Sequence, residues 1–225
     1  MYTGSLPGVQ MGNPVQVTEN KTRVLDPGVD SAPMVVVYRG LGPEFGKAYA
    51  YDTADWMVGQ IQKAIPQESL NKIIFAVPDD YNQDCEKCVQ QALELIEKRK
   101  GKISSYSLCG FSKGGAPVYK NLTRRTWKIL GFIDPVSPSM EGLSDKAVDD
   151  YAPRIRCVYG VAHWGTRPPK DKLPKDYSKD EKVHVKIRDF YLHLKALKAQ
   201  MIDGDDQSHK DMPGVFFKTY GSSFL

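Results

Sequence analysis

The chain has 225 residues and 25.2 kDa, and its 41% hydrophobic and 26% charged content fits a soluble globular domain rather than a disordered chain. Its 31 basic against 27 acidic residues leave a net charge of +4, too small and too scattered for a dedicated nucleic-acid binder. No apolar run approaches the roughly 20 residues that span a bilayer, and the opening MYTGSLPGVQMGNPVQ lacks the basic and apolar regions of a signal peptide, so a reducing cytoplasmic setting is expected.

Residues 1–33 are rich in Gly, Pro, Asn, Thr and Val without a sustained period. They read as an N-terminal extended arm with a short strand near Val15–Val17, suited to packing on the body, to a protein partner or to a disordered tail. A single domain follows over 34–225. MVVVYR is a buried strand by its β-branched run, and it ends in the glycine-rich YRGLGPEFG. A helix follows through YDTADWMVGQIQKAI, with Trp56, Met57, Ile61 and Ile65 at helical spacing. KIIFAV is the next strand, and QDCEKCVQQALELIEKR is an amphipathic helix. Cys85 and Cys88 form a CxxC on that helix, but no second pair or nearby histidine completes a metal set, so two core-facing thiols are expected.

ISSYSLC is a third strand, followed by a glycine–serine turn and a helix through GAPVYKNLT. KILGFID and RIRCVYG are the fourth and fifth strands. The charged, proline-bearing stretch 166–182 reads as an exposed loop insertion, either a solvated flap or a cover over a site. VHVKI fits a last strand, yet Val183, Ile187, Phe190, Leu194, Leu197 and Met201 also fit one helix. The chain closes with a polar loop and a short terminal helix. Such alternation predicts an α/β fold, a mostly parallel central sheet with helices on both faces. Sites in such sheets collect at the C-terminal ends of strands.

The turn Gly110-Phe111-Ser112-Lys113-Gly114 lies at one of those ends. A serine on a sharp strand-to-helix turn takes strained dihedrals, and its neighbours two residues away come too close for side chains. Such a turn lifts Oγ above the sheet and aims the next amide, that of Lys113, at a bound carbonyl oxygen. The N-terminus of the following helix adds partial positive charge for an oxyanion.

In this motif and its setting the chain resembles the α/β-hydrolase superfamily over roughly residues 34–217. The resemblance implies a nucleophilic Ser112, an acid later in the chain and a histidine last. Among four histidines, His209 in DDQSHKDMPG occupies the late loop position of the general base, with His163 in YGVAHWG as its rival; His184 and His193 sit in regular structure. Family members mostly keep the acid after the strand that here reads RIRCVYG, where no carboxylate stands. Some carry it one strand earlier, where LGFIDP puts Asp134. Asp203, Asp205 and Asp206 are the alternatives. A second oxyanion donor is expected from YRGLGPEFG, at the amide of Leu41 or Gly40; Pro43 has no N–H to give.

The spacing Gly40-x-Gly42-x-x-x-Gly46 misses the dinucleotide fingerprint, and no Walker loop or HExxH is present, so neither an organic cofactor nor a metal is required. The expected activity is that of a serine hydrolase on a small-molecule or lipid-like carboxylic ester, with thioesters or amides as related substrates. A non-catalytic hydrolase-fold protein acting in binding or assembly is the alternative.

Overall fold

The computed structural model describes residues 15–47, 50–135, 145–160, 189–204 and 207–225. Eight strands form one sheet: β1 (Val15–Val17), β2 (Arg23–Leu25), β3 (Ser31–Tyr38), β4 (Ile74–Val77), β5 (Lys102–Phe111), β6 (Trp127–Ile133), β7 (Ile155–Tyr159) and β8 (Gln200–Asp203). Their order is β1-β2-β4-β3-β5-β6-β7-β8. The pairs β1–β2 and β2–β4 are antiparallel, and every pair from β4 to β8 is parallel. The fold class is therefore the mostly parallel α/β sheet that the alternation of elements predicts.

Seven helices accompany these strands among the described residues: α1 (Ala54–Ala64), α2 (Gln67–Leu70), α3 (Cys85–Lys98), α4 (Gly115–Lys120), α5 (Asp145–Tyr151), α6 (residues 189–196) and α7 (Met212–Tyr220). Alternate residues of each strand serve opposite layers, as a two-residue side-chain period requires. Val35 and Val37 pack with Phe75, Phe111 and Ile133 beneath Met57 and Ile61 of α1 and Phe216 and Phe217 of α7. Met34, Val36, Leu108 and Phe132 face Cys88, Val89 and Ala92 of α3 together with Phe190 and Leu194 of α6. Each large side chain buried this way contributes roughly 1.5–3 kcal/mol.

The chain runs from β3 outward to β4, then returns past β3 to β5. The connections diverge between β3 and β5, and a crevice opens at such a switch point above the carboxyl ends of the strands. The loops that leave β3 and β5 carry the two glycine-rich turns of the sequence.

Two short strands escape the periodicity. β2 has three residues and lies within the stretch 1–33, where it pairs with β1 and β4, so Val15–Val17 and Arg23–Leu25 belong to the sheet. β8 has four residues and edges the sheet beside β7, where a polar loop was expected. Too few residues are present in either for alternation to register. The continuous-helix reading through Met201 also fails. Helix α6 stops because Lys198 turns left-handed (φ 57°), and Ala199 N–H bonds back to the Leu194 carbonyl at 3.1 Å. VHVKI itself, the insertion 166–182, His163 and His184 lie outside the described residues.

A lysine at that left-handed position carries strain that glycine does not. Lys198→Gly should stabilise by about 1 kcal/mol, which for a chain of this size raises Tm by about 2–4 °C in a thermal melt.

The CxxC thiols face inward from α3, and all four cysteines are free and buried. Burial pushes the Cys85 thiol up to about 12 and Cys88 higher still, so both stay protonated and unreactive at neutral pH. Among the described residues no helix is long and apolar enough to cross a membrane.

Candidate active site

Strand β5 delivers Ser112 directly from Phe111 into a left-handed conformation, φ 52°, at the head of a 3-10 turn that runs into α4. A non-glycine residue held there costs on the order of 1–3 kcal/mol. The flanking glycines are sterically required. A methyl group on Gly110 would overlap the carbonyl of Gly114, and one on Gly114 would come within 2.7 Å of the Tyr38 oxygen. The turn brings β5 and the end of β3 into contact around one hydroxyl. As a first-turn amide, the Lys113 N–H has no partner within its own turn. Helix α4 has six residues, so the dipole expected behind the serine is that of a short helix.

One strand further on, Asp134 ends β6 in a second left-handed turn, φ 40°, and its side chain is fully buried. Its backbone N–H bonds the Val158 carbonyl at 2.7 Å, which ties it to the end of β7. Both carboxylate oxygens are used: Oδ1 accepts the Gly160 N–H at 2.8 Å, and Oδ2 lies 2.6 Å from His209 Nδ1. A buried carboxylate survives because each oxygen is met.

His209 reaches this place from the loop after β8. Gly204 N–H is bonded to the Tyr159 carbonyl and Gln207 N–H to the Gly204 carbonyl, so the loop folds back over β7 before α7 begins. The imidazole stacks on Phe111, with ring centroids 4.6 Å apart and planes at 30°. Phe111 immediately precedes Ser112, so the stack sets the ring beside the elbow. Nδ1 is the ring nitrogen turned to Asp134, so Nε2 is the one that faces away from the acid.

Asp203 is exposed at the end of β8, and Asp205 and Asp206 lie outside the described residues. His193 lies on α6, where Nε2 contacts Asp149 Oδ1 at 3.1 Å.

Sequence reasoning missed two residues of the loop after β3. Arg39 continues the strand run and looks like its polar end. Its guanidinium is nonetheless buried, donating to the Gly40 carbonyl at 2.9 Å, the Asp79 carbonyl at 2.6 Å and Glu44 Oε1 at 2.8 Å. In a trans peptide the following N–H points away from the carbonyl, so the Leu41 N–H is turned away from Arg39. Gly40 packs against the elbow: a methyl there would lie 2.7 Å from Ser112 Cβ and 3.1 Å from its Oγ. The second missed residue, Asp52, precedes the N-cap Thr53 of α1 and reads as a helix-start signal, yet it is buried against Gly40. Beside this loop opens a cleft of about 620 Å³ lined by Arg39, Glu44, Phe45, Asp79 and Tyr81 among others.

No protein-family model and no curated protein sequence matches the chain. Solved structures do. A siderophore hydrolase, EstB, from Aspergillus nidulans aligns over 100% of this chain and 97% of its own, with a TM-score of 0.59 and 10% identity. Carboxyl esterase 2 from Tuber melanosporum aligns over 99% and 88%, with a TM-score of 0.53 and 15% identity. A lidless α/β serine hydrolase from Xanthomonas campestris aligns over 96% and 97%, with a TM-score of 0.51 and 14% identity. Together with the strand order and the serine elbow at the end of β5, these end-to-end alignments identify the fold of the chain as that of the α/β-hydrolase superfamily.

Proposed function

We propose that the protein is a serine hydrolase that cleaves a carboxylic ester through an acyl-enzyme on Ser112. The observation that carries this reading is the 2.6 Å contact of His209 Nδ1 with Asp134 Oδ2, made by a ring stacked on the residue before Ser112. An acid, an imidazole and a strained serine then stand in the order and setting of a charge-stabilised nucleophile.

In the proposed cycle Asp134 accepts the Nδ1 proton of His209 in a hydrogen bond and so keeps Nε2 basic. His209 Nε2 takes the Ser112 Oγ proton as Oγ bonds to the acyl carbon. The carbonyl oxygen, now negative, is held by the amides of Lys113 and Leu41; the Gly40 backbone faces Asp52 instead. The carbon–oxygen bond to the leaving group breaks, and the imidazolium returns its proton to the departing alkoxide. A water molecule then repeats both transfers on the acyl-enzyme and releases the carboxylic acid. The charged lining of the neighbouring cleft favours a polar substituent on one side of the ester over a long alkyl chain.

A fluorophosphonate probe tests the reading. Wild-type protein should be labelled and Ser112→Ala should not. A folded wild type that resists labelling would instead support the non-catalytic alternative. Turnover on p-nitrophenyl esters of graded acyl length then ranks the substrates.

A further inference from the structure

Asp52 is a buried acid that does not cap the helix it precedes. It is 1% exposed, and its Oδ1 has no hydrogen-bond partner. Thr53, not Asp52, caps α1, accepting the Trp56 N–H at 3.0 Å. The charged groups facing it are Arg39 from the end of β3 and Glu44 from the turn Pro43–Phe45. Arg39 attracts it through its charge, while the guanidinium hydrogen bonds go to the Gly40 and Asp79 carbonyls and to Glu44. What Asp52 does share is the space above Gly40: a methyl group there would collide with Asp52 Oδ2 and lie 3.1 Å from Ser112 Oγ.

We infer that Asp52 is a positioning residue of the oxyanion site, bracing the Gly40 backbone against Ser112 as a neutral carboxylic acid, and that its ionisation switches acyl transfer off. The inference rests on Ser112 acting as the nucleophile. A neutral acid leaves the negative charge that develops on the carbonyl oxygen unopposed. A carboxylate in the same dry pocket repels that charge, and the repulsion is strong where water cannot screen it.

The electrostatic setting agrees with this geometry. Burial pushes Asp52 up to about 7 from its ordinary 3.8, against the opposing pull of the Arg39 charge and the Gly40 backbone. The side chain is therefore mostly neutral below pH 7 and mostly charged above it. Because the folded protein holds this proton more tightly than the unfolded chain, the group costs folded stability progressively as pH rises from about 4 to about 7, and the cost persists above.

The test is the pH dependence of fluorophosphonate labelling between pH 5 and 9, read on wild type first. The rate should fall about tenfold per pH unit above pH 7, the signature of one ionisation. Asp52→Asn, neutral at every pH, should lose that fall. It should also melt higher than wild type at pH 8 but not at pH 4. A wild-type rate that holds to pH 9 overturns the role of Asp52 while leaving Ser112 as nucleophile. Equal melting of the two proteins at pH 8 overturns it as well, independently of any activity. No labelling of wild type at any pH overturns the hydrolase reading instead.

Discussion

Asp134→Asn is expected to lower kcat on an activated ester by on the order of 10⁴ while the protein stays folded. The reason lies in the second oxygen. Oδ1 accepts the Gly160 N–H, so an asparagine here must keep its carbonyl on that side. Its amide nitrogen then occupies the place of Oδ2 and donates toward His209 Nδ1. That arrangement forces the imidazole proton onto Nε2, the nitrogen that must accept the serine proton. Circular dichroism should match wild type, because the buried group is neutral and still bonded. The double variant with Ser112→Ala should be little slower than Ser112→Ala alone, since members of such a unit do not act independently. Normal turnover by Asp134→Asn would remove Asp134 from the mechanism.

Gly110→Ala tests the turn rather than the chemistry. The added methyl meets the Gly114 carbonyl and lies 2.8 Å from Val118 Cγ2. The turn cannot retreat, because Gly114 is itself pressed against the backbone of Tyr38 and Arg39 at the end of β3. Overpacking against fixed backbone is expected to destabilise by about 3 kcal/mol or more, lowering Tm by about 6–12 °C. Gly59→Ala is the matched control. Gly59 lies within α1, and a methyl there meets nothing within 4 Å, so this change should stabilise by somewhat under 1 kcal/mol. If both variants melt alike, the close approach at the elbow is not real.

Much of the scaffold follows from local pattern. The β-branched runs at 34–37 and 73–77 and the amphipathic period of 85–98 each carry their own signal, because a side-chain period of two or 3.6 is a property of neighbours in sequence. The elbow is legible for the same reason: two glycines around one serine are demanded by the turn itself. The three-residue β2 and four-residue β8 are not legible. Their pairing depends on distant strands: β2 partners in β4 lie 50–54 residues away in the chain, and β8 partners in β7 lie 44 away.

The identity of the acid marks the same boundary more sharply. From the sequence, Asp134 at its strand end is the first candidate and the three aspartates beside His209 are its alternatives. Among the described residues, the pairing of β6 with β7 brings the Val158 carbonyl and Gly160 amide to Asp134 and sets it beside the His209 imidazole, contacts that no local pattern carries. Asp52 shows the converse. A helix-start aspartate looks solvent-exposed in sequence, and only its approach to Gly40, after the end of β3, buries it beside Ser112. The sequence by itself determined the alternating elements and the strained turn, since both arise from residues within a few positions of one another. Which groups share the space above that turn was decided by the fold alone, because burial and charge proximity depend on segments that meet only after the sheet has closed.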